Sequence, residues 1–249
     1  MTGVVAVFGG TGRLGAAVVE AICATQPVHF TTFSKTAEAE ALVVRLRAGG
    51  ADVAFSQVDV RDAAAVEGFL RGLAQGRGLA GVASANGAPF PVGPLYEASE
   101  QDFRRIAEVD IFGSFHILQS AARHLAAAGG GPIVLFLTAA VLRSAVWDGM
   151  SSITKAAVAG MIRQMARDAG PLNVRVNGVA PGVAQTDKLA DLSVLSGHKR
   201  ELVDAFIRDT PLPRLNDIRS IAAMTAFLLS PVAADISGQI IGTDGGYSA

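Results

Sequence analysis

Gly3-Val4-Val5-Ala6-Val7-Phe8-Gly9-Gly10-Thr11-Gly12-Arg13-Leu14-Gly15 decides how this chain is read. Val4–Phe8 is an unbroken apolar run without alternation, the pattern of a strand buried on both faces. Three glycines, at 9, 12 and 15, follow at once and lead into an Ala- and Val-rich helical stretch. In that setting they let the chain turn tightly, let backbone approach a pyrophosphate and let the helix pack on its strand. The start of the helix adds unpaired N–H groups and a positive dipole end. A glycine triplet alone marks only a tight turn; strand before and helix behind make a dinucleotide site the preferred reading.

Outward from this unit the pattern repeats. Strands are predicted at Val4–Phe8, Val28–Phe33, Asp52–Gln57, Leu79–Ala85, Pro132–Thr138, Asn173–Val179 and Gln239–Ile241. Helices are predicted near 13–25, 36–48, 62–74, 99–127, 151–169 and 217–229. Such alternation calls for right-handed crossovers and an α/β, doubly wound (Rossmann) parallel sheet of about seven strands covered on both faces. No linker, repeat or low-complexity stretch divides the chain, so residues 1–249 read as a single domain. The segment 183–216 is polar, mixed and without a strand, and is expected to lie as a lid over the sheet's C-terminal edge.

Bulk properties narrow the function classes. Half of the 249 residues are hydrophobic, enough for a large core, and only 17% are charged. A net charge of −1 without a basic run argues against nucleic acid. The lone Cys23 excludes an internal disulfide and favours a reducing compartment. The first apolar run is too short for a signal core, and no uninterrupted apolar stretch reaches the roughly 18 residues of a spanning helix. The chain is therefore expected to be cytoplasmic and to have no membrane partner. Cysteine and histidine spacing offers no metal signature.

The second strand runs out in Thr31-Thr32-Phe33-Ser34-Lys35, with no acid before Glu38. An acidic residue there would hold a ribose 2′-hydroxyl and select NAD. Ser34, Lys35 and Arg13 are instead suited to a 2′-phosphate, so NADP(H) is expected over NAD(H). Lys35 also fits the plainer reading of a solvated surface charge.

The glycine loop resembles that of the short-chain dehydrogenase/reductase family. Its spacing is nearer the extended and atypical branches, which include NADP-sensing proteins without redox chemistry. Aligned on the main branch, Arg13 stands where a glycine belongs. The resemblance covers nearly the whole chain. Asp59-Val60 is similar to the family's adenine-contacting pair, and Ala85-Asn86-Gly87-Ala88 is a weakened form of its Asn-Asn-Ala-Gly. Arg175 through Thr186 closely resembles the nicotinamide-side segment. Thr210–Leu215 and Ile236–Gly246 match the C-terminal part of the main branch. The resemblance implies that Gly9, Thr11, Gly12, Arg13, Leu14, Gly15, Ser34, Lys35, Asp59, Val60, Asn86, Gly87, Lys155, Pro181, Gly182, Val183 and Thr186 bind the cofactor.

Carbonyl reduction needs a hydride and a proton donor within hydrogen-bond reach. The family uses a tyrosine one helical turn before a lysine. Here the helix reads Ser151-Ser152-Ile153-Thr154-Lys155: Lys155 fits, and Ser151, shorter and far less acidic, occupies the tyrosine's place. Thr138 stands for the family's serine and keeps a hydroxyl able to polarise a carbonyl. Asp110 stands for its asparagine and is placed to pair with Lys155. Tyr96 and Tyr247 have no lysine four residues on. Asp148 and Trp147 precede the Ser151 helix at the expected pocket mouth. Asp148 is a candidate donor, though a loop aspartate is more often solvated or a helix cap. His116 and His124 read as structural.

Ala156, Ala157, Ala159 and Gly160 permit close helix packing, either on the protein's own sheet or, as the resemblance implies, in a homodimer or homotetramer. Phe90, Trp147 and Leu189 suggest a partly hydrophobic small-molecule substrate. Three readings accommodate these residues. One is an NADP(H)-dependent oxidoreductase with altered proton delivery through Thr138, Lys155 and water. Another is an isomerase, dehydratase or cyclase on the same pocket. The last is a cofactor-binding protein or partner subunit without activity.

Overall fold

The computed structural model describes residues 3–185, 193 and 195–249. Seven strands form one sheet: β1 (Val4–Phe8), β2 (Val28–Thr32), β3 (Val53–Gln57), β4 (Leu79–Ser84), β5 (Gly131–Phe136), β6 (Val174–Pro181) and β7 (Ile240–Thr243). Their order is β3-β2-β1-β4-β5-β6-β7, and every pairing is parallel. The winding direction reverses between β1 and β4, and a crevice opens at such a switch point outside the carboxyl ends of the strands. In-register pairs such as Phe8↔Ser84 and Phe136↔Val179 bring those ends to one edge.

Helices cover both faces. On one lie α1 (Arg13–Cys23), α2 (Thr36–Ala48) and α8 (Ile218–Leu229), packing Val18, Val19, Leu42, Ile221 and Leu228 onto the sheet. On the other lie α3 (Ala63–Gly76), α5 (Gly113–Ala127) and α6 (Gly149–Ala169), contributing Leu70, Ile117, Leu118, Val158 and Ile162. Fully buried side chains of this size contribute roughly 1.5–3 kcal/mol each. None of the described helices is long and apolar enough to cross a membrane.

Three expectations are corrected. The helix predicted over 99–127 is broken into α4 (Glu100–Ala107), a π-turn at Glu108–Phe112 and α5. The wider turn carries Asp110 inward, where it is buried. It also brings Gly113 against Val60, where a Cβ would lie 2.7 Å from a Val60 methyl. Second, the 183–216 segment contains a helix, α7 (Gly197–Asp209). Its two ends are fastened together, Gln185 N–H donating to Asn216 O (2.8 Å) and Asn216 N–H to Val183 O (2.8 Å). Third, the ends of six strands move by one or two residues: β2 stops at Thr32, and β6 begins at Val174 after left-handed Asn173 (φ 60°).

Candidate active site

The glycine loop is held by contacts that leave no room for side chains. Gly9 has φ 76°, a Cβ on Gly10 would enter the Phe30 ring, and one on Gly15 would run into Gly9 O. The Thr11 hydroxyl bonds that of Thr32 on β2 (2.8 Å). Gly12 caps α1 without a side-chain bond, and the first turn, with Arg13 and Leu14, carries no acid. The positive end of the helix therefore faces the crevice unneutralised.

Ser34 and Lys35 are exposed just beyond β2. Beside them the Arg61 guanidinium lies 5.1 Å from the Phe33 ring centre and grips Asp59. That pairing holds the Asp59 carboxyl below the usual carboxylate range. Val60 is buried, and its carbonyl meets His116 Nδ1 at 2.9 Å. His124 Nε2 bonds Glu67 (3.0 Å), so both histidines tie helix to neighbouring structure.

Past β4, the Ser84 hydroxyl donates to Asn86 Oδ1, and Asn86 Nδ2 donates to Val109 O (3.2 Å). The Asn86 side chain thus binds the loop to the π-turn, leaving its carbonyl to accept from Lys155 Nζ (3.2 Å). Lys155 also lies 3.6 Å from Asp110 Oδ1, both side chains being almost wholly buried. Asp110 takes further bonds from Ala88 N–H (3.2 Å) and the Thr154 hydroxyl (3.0 Å). Gly87 borders this pair. Lys155, Asp110, Asn86 and Gly87 are thus neighbours, drawn from α6, the π-turn and the β4 loop.

On the substrate side a cavity of about 330 Å³ reaches from Thr138 and Ser151 to Pro181, Gly182 and Val183. Phe90, Leu202 and Phe206 supply apolar wall. A Cβ on Gly182 would overlap the Phe206 ring and Asn216 Oδ1, so the glycine lets α7 close down on the β6 end. Thr186 and Leu189 lie outside the described residues. Trp147 packs on His198, with ring centres 4.6 Å apart and ring planes tilted by 38°.

Asp148 corrects the sequence reading. It stands at the N-cap of α6 without capping it. It is 7% exposed and lines the cavity rather than sitting solvated at its mouth. Its Oδ2 accepts from the Thr138 hydroxyl at 3.4 Å. Burial pushes its pKa up to about 7, against hydrogen bonding from Thr138 and Ser151. Arg143 and Tyr247 also line this cavity, unforeseen in the sequence. Tyr247 arrives on the turn Asp244-Gly245-Gly246, whose glycines have φ 71° and 88°. Its hydroxyl donates to Ser144 O (3.0 Å), and burial raises its pKa. The only sequence signal for Tyr247 was this glycine pair beside it.

Within the nicotinamide-like segment, two residues serve the scaffold. Arg175 donates to Leu228 O, Ser230 O and Ile236 O, and Asn177 bonds Ile236 O and Gln239 N–H.

Comparison with known proteins agrees with this architecture. The family described as Enoyl-(Acyl carrier protein) reductase matches residues 14–248. Versicolorin reductase stcU of Emericella nidulans is 32% identical over 261 residues, covering 99% of this chain and 96% of that protein. The 7alpha-hydroxysteroid dehydrogenase of Escherichia coli is 35% identical over 163 residues; the match spans 66% of this chain but only 60% of the relative. A short-chain type dehydrogenase/reductase from Mycobacterium ulcerans superposes with a TM-score of 0.90 at 27% identity, covering 98% of this chain and 89% of that one. With the parallel sheet, the glycine loop at its switch point and a match over almost its full length, this chain belongs to the short-chain dehydrogenase/reductase family.

Proposed function

We propose that the protein is an NADP(H)-dependent oxidoreductase interconverting a carbonyl and an alcohol on a partly hydrophobic small molecule. The observation that carries this reading is the shared sheet edge: a helix start at the glycine loop with no acid and no side-chain cap bond, and a largely apolar cavity ending in Thr138 and Ser151. The dehydrogenase and reductase names of the relatives support the reaction class.

A dinucleotide fits the residues present. Gly9, Thr11, Gly12, Arg13, Leu14 and Gly15 would hold the pyrophosphate, Asp59 and Val60 the adenine, and Asn86, Gly87 and Lys155 the nicotinamide ribose. Ser34, Lys35 and Arg13 would take a 2′-phosphate, and Pro181, Gly182 and Val183 would border the nicotinamide. When bound, the cofactor supplies or accepts hydride. The Thr138 hydroxyl orients the substrate oxygen, and the cavity wall excludes water from it. Lys155 is anchored by Asn86 O and Asp110.

Trp147 is the sole tryptophan and stands in the chain between the cavity-lining Val146 and Asp148, so its fluorescence is expected to report binding. Titration is expected to give tighter binding of NADPH than NADH, and NADPH oxidation with some member of a carbonyl panel. Equal or tighter NADH binding would refute the cofactor preference.

A second reading, a cofactor-binding subunit without turnover, is favoured by Ser151 at the position of the family's tyrosine. It predicts tight NADPH binding with no carbonyl reduced. Either reading accommodates a homo-oligomer: Phe112, Phe115 and Ile153 are 50%, 44% and 41% exposed on the π-turn, α5 and α6.

A further inference from the structure

We propose that the carboxyl group of Asp148 is the proton donor to the substrate oxygen in carbonyl reduction, and the acceptor in the reverse direction. This rests on the oxidoreductase reading above and names the acid which that reading lacks.

Asp148 and Ser151 lie one helical turn apart, and both line the cavity with Thr138. Thr138 Oγ1 lies 3.4 Å from Asp148 Oδ2, so an oxygen held by the threonine is within reach of the carboxyl. Backbone geometry enforces the placement. Trp147 takes φ 64°, a conformation costing a bulky L-residue on the order of 1 kcal/mol. Gly93 fixes that kink by donating to Trp147 O (3.1 Å) and bridging to Asp148. An N-terminal aspartate would ordinarily cap its helix; this one makes no cap bond and is turned into the cavity.

The Ser151 hydroxyl is too weak an acid. Lys155 Nζ is turned to Asn86 O and Asp110. The Tyr247 hydroxyl is spent on Ser144 O, and burial makes it a poorer donor. Asp148 faces a cavity that also holds Arg143, Lys199, Asp209 and Tyr247, with Asp110 and Lys155 farther along α6 and its neighbours. His198 packs on the adjoining Trp147. Arg143 is engaged by the Tyr247 ring and carbonyl. Burial dominates the Asp148 environment and keeps a carboxylic acid available near neutrality, as acid catalysis requires.

The step balances. The substrate carbonyl carbon gains hydride from the reduced dinucleotide, which leaves oxidised. The carbonyl π pair moves to oxygen, the Asp148 O–H bond breaks, and the alcohol O–H forms. The carboxylate regains its proton from bulk solvent acid after the alcohol has left and the cavity is open to water again.

The test compares wild type, D148N and D148E, all checked for fold by circular dichroism and for NADPH affinity by Trp147 fluorescence. D148N is expected to keep NADPH affinity within about 3-fold and to lose about 100-fold or more in kcat. D148E is expected to recover part of that loss. The basic limb of the wild-type reduction profile near pH 7 should vanish in D148N. Infrared titration of the carboxyl band, wild type minus D148N, is independent of turnover and should show a midpoint near pH 7. Wild-type turnover that survives in D148N with an unchanged pH profile overturns the proposal and leaves the oxidoreductase reading standing. A carboxyl midpoint in the ordinary carboxylate range also overturns it. Wild type that reduces no carbonyl overturns the oxidoreductase reading, and this assignment with it.

Discussion

Replacing Asp148 by asparagine removes a titrating group from the interior while keeping its shape, and with it a pH dependence of stability. The carboxyl has an ordinary pKa of 3.8 and a folded-state value of about 7, raised chiefly by burial. Between those values the folded chain holds a proton that the unfolded chain has lost. Stability from this group is therefore fully present below about pH 4, falls as pH rises through about 7, and then levels off. Each pH unit in the interval is worth about 1.4 kcal/mol, so the span from 3.8 to about 7 amounts to about 4 kcal/mol. The asparagine variant lacks this dependence. Subtracting wild type from variant cancels the other titrating groups, and the difference should move toward the variant by about 3 kcal/mol between about pH 5 and pH 8. Urea unfolding at fixed protein concentration, followed by far-ultraviolet circular dichroism, measures it. Curves that run parallel over this interval, or diverge in the opposite sense, would refute the burial argument.

Three further outcomes are expected. Arg175→Met should cost about 3 kcal/mol in urea unfolding, because three backbone carbonyls lose a charged donor, while NADPH affinity of the folded protein stays unchanged. Gly15→Ala should weaken NADPH binding by about 10-fold or more in the Trp147 titration, since its Cβ would displace Gly9 and with it the loop. Lys35→Glu should shift the NADPH-to-NADH affinity ratio toward NADH by about 10-fold, and an unchanged ratio would remove Lys35 from the cofactor reading.

Much of the architecture was legible before any tertiary contact was known. Strands buried on both faces carry unbroken apolar runs, so β1 and β5 announce themselves. The glycine loop is legible because its backbone demands are local: Gly9 needs a positive φ, and Gly15 needs room beside Gly9 itself. The Ser151–Lys155 spacing is likewise a property of one helix.

Other features depend on segments far apart in sequence. A π-turn, invisible in the 99–127 periodicity, turns Asp110 toward Thr154 and Lys155. Tyr247 reaches the cavity from a residue 103 positions beyond its partner Ser144. Arg175 and Asn177, conspicuous in a segment read as cofactor-facing, clamp the end of α8 and the chain that follows it. Asp148 shows the division most sharply. Its sequence neighbours make it a helix cap, whereas a left-handed Trp147 held by Gly93 makes it a buried acid. Strand, turn and helix preferences are set by short-range sterics and hydrogen bonding, which a sequence carries with it. Burial, and the proton affinity that follows from it, belongs to the packing of distant segments, and only the folded chain decides it.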